Sequence, residues 1–90
     1  MLLVKRYTAT WCGPCKQLAP VFAELQNEMT NEPDQIVFQT IDVDQNRDAA
    51  LEANVSSVPT VVIEKNGKQV YRFSGVLPKT TIAGLIRQHL

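Results

Sequence analysis

What this chain lacks narrows its chemistry before any motif is read. It has no cysteine outside one pair, Cys12 and Cys15, and its single histidine, His89, stands beside the C-terminus. A four-ligand structural metal site needs a second pair of ligands, so zinc would have to be shared between two chains, and no metal or other cofactor is expected. Covalent haem attachment needs a histidine directly after the second cysteine, and Lys16 occupies that position. Nine Lys and Arg balance nine Asp and Glu, with no basic run and no basic aromatic cluster, so nucleic acid binding has no electrostatic support. Long apolar runs are missing too. Met1-Leu2-Leu3-Val4 is cut off by Lys5 and Arg6, far short of a signal-peptide core or a membrane span. Ninety residues suffice for one domain, over 1–90, with a hydrophobic core that needs no staples. A cytoplasmic protein is expected, and a monomer, since nothing signals oligomerisation.

The most informative feature present is Trp11-Cys12-Gly13-Pro14-Cys15. The pair follows an apolar strand-like run and opens an amphipathic helical pattern. The first backbone N–H groups of a helix lack intrahelical partners and carry partial positive charge, which favours a thiolate on the first cysteine. Cys12 is therefore the expected nucleophile and Cys15 the resolving thiol. Two intervening residues let one helical turn bring the sulfurs within disulfide reach. A static structural bridge is the plain alternative, but closing so small a ring removes little chain entropy. In a reducing compartment a pair at this spacing reads as catalytic.

Strand and helix patterns alternate along the chain. Residues Leu2 to Tyr7 read as a first strand. From Pro14 to about Met29, Leu18, Val21, Phe22, Leu25 and Met29 recur at helical spacing, with Pro20 inside and a kink expected there. Thr30 to Gln35, with Pro33, is expected as a loop. Ile36 to Ile41 forms a second strand whose Val37-Phe38 centre suits a covered sheet. Asp44 is expected to cap a short helix from Gln45 to about Ala53, which Asn54 ends. Thr60 to Glu64 and Gln69 to Ser74 form a hairpin across Asn66-Gly67, both positions tolerating positive φ. A last helix runs from about Pro78 to His89, burying Ile82, Leu85, Ile86 and Leu90. The order β-α-β-α-β-β-α predicts an α/β fold with a four-stranded mixed sheet, in the order second, first, third, fourth strand, and helices on both faces. The cysteine loop then falls at the C-terminal end of a central strand, where open α/β sheets bind ligands.

With these residues in order, the chain resembles the thioredoxin family from about residue 2 to its C-terminus. Trp11-Cys12-Gly13-Pro14-Cys15-Lys16 is similar to the family's active-site signature, Pro20 to its helix-kinking proline and Val58-Pro59-Thr60 to its cis-proline loop. Asn66-Gly67 and Gly75 fall where its hairpin glycine and late glycine lie. The resemblance implies a thioredoxin-like fold and a thiol-disulfide oxidoreductase that reduces protein disulfides through a Cys12/Cys15 cycle. It also implies disulfide-containing protein substrates, a thioredoxin reductase as electron donor, and substrate contact by Trp11, Gly13, Pro14, Val58, Pro59 and Gly75. A core role for Trp11, a solvated role for Lys16 and a trans Pro59 are the bland alternatives.

The pattern departs from the family in three ways. The chain starts almost at the active-site strand, where the family usually has an extra strand and helix first. The family's buried aspartate is Arg6 here, and the lysine that faces it is Thr40, so the usual carboxylate base for Cys15 is absent. Arg6 is expected to reach solvent or to pair with a carboxylate, Asp42 being the candidate. Arg6-Tyr7-Thr8 and the early start resemble glutaredoxins, which makes a glutathione-dependent reductase the alternative. Yet Ser74-Gly75-Val76-Leu77-Pro78-Lys79-Thr80 lacks the glycine pair and following aspartate of a glutathione grip. A non-catalytic partner-binding subunit is the third reading, since a fold does not prove function.

Overall fold

The computed structural model describes residues 1–29 and 35–90; most of the loop expected at Thr30 to Gln35, with Pro33, lies outside the described residues. Seven elements follow in chain order: β1 (Leu2–Thr8), α1 (Gly13–Met29), β2 (Ile36–Asp42), α2 (Arg47–Glu52), β3 (Thr60–Lys65), β4 (Lys68–Ser74) and α3 (Lys79–Gln88). The sheet order is β2-β1-β3-β4, with β1 parallel to β2 and antiparallel to β3, and β3 antiparallel to β4. This is the mixed sheet that the alternating pattern predicts.

Period-two alternation along β1 and β3 splits the buried side chains between two faces. Leu2, Val4, Val61 and Ile63 meet Leu18, Phe22, Leu25 and Met29 of α1 and Ile82 and Ile86 of α3 in the main core. On the opposite face Tyr7, Val62 and Ile41 form a second cluster, joined by Ala49 of α2 and by Val55. Helices therefore cover both faces. Burying each large aliphatic side chain contributes roughly 1.5–3 kcal/mol, which is where α1 obtains its stability and its fixed angle against β1. The helix stays continuous across Pro20, whose side faces solvent. Lys79 of α3 reaches Glu28 at 3.2 Å and Glu24 at 3.6 Å on α1.

The hairpin between β3 and β4 turns at Asn66 and Gly67, both at positive φ, 54° and 84°. That is the twist a two-residue hairpin loop requires. Asn54, at φ 56°, follows the last turn of α2.

Three expectations are corrected. Val37 is exposed, because β2 is an edge strand covered on one face by α1 while α2 reaches only its C-terminal end. Asp44 does not cap α2: the helix starts later, with Asn46 in the cap position and no side-chain capping bond. The Asp44 carboxylate is instead used by Trp11. Leu85 and Leu90 are only partly buried, packing at the margin of the core that Ile82 and Ile86 fill.

On the second face, Lys5 of β1 donates to Glu64 of β3 at 2.8 Å, with both side chains about a fifth exposed. The hydrogen bond to Glu64 raises the Lys5 ammonium above its ordinary value of 10.5, partly offset by burial. A raised cationic group stabilises the fold fully below its unfolded pKa, and the gain is lost as pH rises through the folded one. Glu64→Gln should therefore cost about 0.5 kcal/mol at neutral pH, allowing for solvent screening. Paired denaturant titrations check this: the gap between variant and parent should close above the ordinary lysine range, and a gap that persists there sinks the ionic explanation.

Candidate active site

The chain leaves β1 at Thr8 and turns back through Ala9, whose carbonyl accepts the Cys12 N–H at 3.3 Å. Cys12 then stands in the cap position of α1, its carbonyl accepting the Lys16 N–H at 3.3 Å. The first N–H groups of a helix need acceptors from outside it. Here the Cys15 N–H points at the Cys12 sulfur, 3.2 Å away. A sulfur does what a serine or aspartate oxygen does at other helix starts. Cys12 and Cys15 are joined as a disulfide, with their Cα atoms 5.3 Å apart. Both are buried, Cys12 at 5% exposure and Cys15 at 2%. On reduction the same N–H and the positive end of α1 favour a thiolate on Cys12.

The opposite wall is the segment before β3. The Val58–Pro59 bond is cis, and the Val58 carbonyl oxygen lies 3.7 Å from the Cys12 sulfur, placed to accept a hydrogen bond from a thiol. Pro59 is buried, and its carbonyl accepts the Gly75 N–H at 2.9 Å. Gly75 sits at φ 90°, a conformation open to glycine and strained for other residues. Thr60 ties the wall to its surroundings through the Ser57 carbonyl at 2.7 Å and the Ser74 hydroxyl at 3.1 Å. Trp11 is 68% exposed and so is not a core residue; its indole N–H donates to Asp44 at 2.8 Å. Between Trp11, Val43, Val55, Ser56, Ser57 and Val58 lies a cavity of about 140 Å³. Gly13 and Pro14 lie exposed on the rim.

Behind the pair, Arg6 occupies the face of β1 that looks toward α1. Its guanidinium lies over the Phe22 ring, 5.6 Å from the centroid, and Nη2 donates to the Thr40 hydroxyl at 3.3 Å. Nε is buried and unpartnered. The expected pairing with Asp42 does not form. The Asp42 carboxylate accepts the N–H groups of Asp44 at 2.9 Å and Gln45 at 3.4 Å, which draws it toward its own loop. Among the described residues no group of three or more His, Cys, Asp or Glu could hold a metal ion, and no helix is long and apolar enough to cross a membrane.

The thioredoxin family model matches residues 1–88. The chain belongs to the thioredoxin family. It is 40% identical over 84 residues to a thioredoxin of Bacillus subtilis, covering 93% of this chain and 78% of that one. A thioredoxin of Staphylococcus haemolyticus is 38% identical over the same shares. Among solved structures, Fasciola hepatica thioredoxin superposes with a TM-score of 0.88 at 39% identity, covering 99% of this chain and 81% of the other. Mitochondrial thioredoxin 3 of Saccharomyces cerevisiae, in its oxidised form, gives 0.84 at 32% identity over 97% and 77%. The thioredoxin-like fold is thus established, and with the cysteine pair at bonding distance the chain is a thiol-disulfide oxidoreductase of the thioredoxin type, acting on protein disulfides.

Within the thioredoxin frame, Cys12, Cys15, Val58, Pro59 and Gly75 are brought together, with Trp11, Gly13 and Pro14 at the margin. Sequence reasoning missed Asp44, Ser56 and Ser57. The signal for Asp44 was its neighbourhood, an acidic residue just past the end of a strand parallel to β1, which reads equally well as a helix cap.

Proposed function

We propose that Cys12 is the attacking thiolate, Cys15 the resolving thiol, and the groove between Trp11, Gly13-Pro14, Val58-Pro59 and Gly75 the seat of an extended substrate segment. The observation that carries this reading is the Cys15 N–H held on the Cys12 sulfur at the first turn of α1. The Cys12 thiolate attacks one sulfur of the substrate disulfide, forming a mixed disulfide and expelling the first substrate thiolate. Cys15, in its deprotonated form, attacks the Cys12 sulfur, expelling the second. The substrate gains two electrons, the cysteine pair becomes a disulfide, and the expelled thiolates take up protons. Backbone groups of the Val58–Pro59 and Gly75 segments suit strand-like pairing with the substrate.

A thioredoxin reductase is the proposed electron donor, and the protein is read as a cytoplasmic monomer of one domain. Glutathione is disfavoured as donor because α3 opens at Pro78 with no acidic residue in its first turn, so the charged grip that a tripeptide needs is missing. A coupled assay tests the donor: insulin disulfides should be reduced steadily with NADPH and a thioredoxin reductase, and near background with reduced glutathione. Equal or faster turnover on glutathione would overturn the assignment.

A further inference from the structure

We propose that Arg6 holds Cys15 as a thiolate in the reduced protein, supplying with fixed charge what a neighbouring carboxylate base would supply by proton transfer. A cavity of about 370 Å³ behind the cysteine pair is lined by Arg6, Thr8, Cys15, Lys16 and Asp42, among others. Three ionisable residues besides Cys15 line it: Arg6 from β1, Lys16 from α1 and Asp42 from β2, two cations against one anion. Asp42 spends one carboxylate oxygen on two backbone donors of its own loop. Arg6 is the unbalanced group. Its bonded partners are a neutral hydroxyl and an aromatic face, its Nε has none, and burial pushes its pKa down, the sign of a cation short of counter-charge. A guanidinium stays protonated nevertheless.

In the oxidised protein the cysteine pair offers no anion. Reduction adds two electrons and two protons to the disulfide and gives two thiols, and loss of the Cys15 proton then creates a negative charge on the wall that Arg6 shares. That charge is the counter-ion the guanidinium lacks. The Cys15 proton is thus released to solvent once the pair is reduced; in the substrate step the Cys15 thiolate forms a bond to the Cys12 sulfur, and the departing substrate thiolate takes up a proton, so atoms and charge balance. An opposite charge across a shared cavity favours the ionised form of a thiol, which makes Arg6 a positioning residue rather than a base.

The inference rests on the roles given above to Cys12 and Cys15, and its test is separate from theirs. Cys15 is titrated alone in a Cys12→Ser background by the ultraviolet absorbance of its thiolate, while insulin turnover of the two-cysteine protein reads the role assignment. Arg6→Gln should lower the Cys15 thiolate fraction at neutral pH roughly tenfold, and Arg6→Lys should leave it near the parent value. Asp42→Asn, which removes the one anion facing the cavity and keeps an oxygen for the loop, should raise that fraction. It serves if Arg6→Gln does not fold. An unchanged titration in Arg6→Gln, an equal shift in Arg6→Lys, or a fall in Asp42→Asn overturns the proposal.

Discussion

Cys12→Ser should take disulfide reduction down to the uncatalysed background, a loss on the order of a thousandfold or more, because the remaining thiol, Cys15, is the more deeply buried of the two and lies inside the first turn of α1. Cys15→Ser should fail differently. Cys12 remains able to attack, so the enzyme is expected to stall as a mixed disulfide with its substrate, visible as a covalent adduct that a reductant releases. The same asymmetry should appear in alkylation of the reduced protein at neutral pH, with Cys12 labelled first, since the helix terminus favours its thiolate and it is the less buried of the two. An adduct that accumulates on Cys12→Ser and not on Cys15→Ser would reverse the two roles.

Leu18→Ala should be strongly destabilising, costing about 2–5 kcal/mol. Leu18 lies one turn beyond Cys15 on α1, is fully buried, and packs in the main core. Such a cost is a large share of the stability of a small domain, so the midpoint of chemical unfolding should fall steeply with little change in slope. A loss below about 1 kcal/mol would mean that the surrounding side chains collapse onto the vacancy. The main core would then be less tightly packed than its burial indicates.

The fold was legible because its signals were redundant. The spacing of Leu18, Phe22, Leu25 and Met29 places α1, and Asn66-Gly67 places the hairpin through a steric requirement that few residue pairs meet. The site was legible where chemistry restricts the residue type, as at Cys12 and Cys15. What stayed hidden depends on which neighbour a polar side chain chooses. Asp44 can satisfy a helix start or an indole N–H, and the distance to Trp11 across the end of β2 decides it. Arg6 likewise had two available partners. The register that sets Arg6 opposite Thr40 gives its Nη2 a hydroxyl close by, while local backbone donors hold Asp42. Val37 shows the remaining gap, since the strand order puts β2 at an edge but an apolar pair within it does not reveal that α2 reaches only its C-terminal end.

The sulfur that closes the first turn of α1 is also the atom proposed to attack the substrate. At most helix starts the capping oxygen is a fixture, spent once when the chain folds. Here it is a reagent, and each of its states, thiolate, mixed disulfide or internal disulfide, keeps a lone pair available to the Cys15 N–H. The Cys15 N–H can therefore keep its acceptor through turnover, and the scaffold can stay rigid while the bonds at its tip are exchanged.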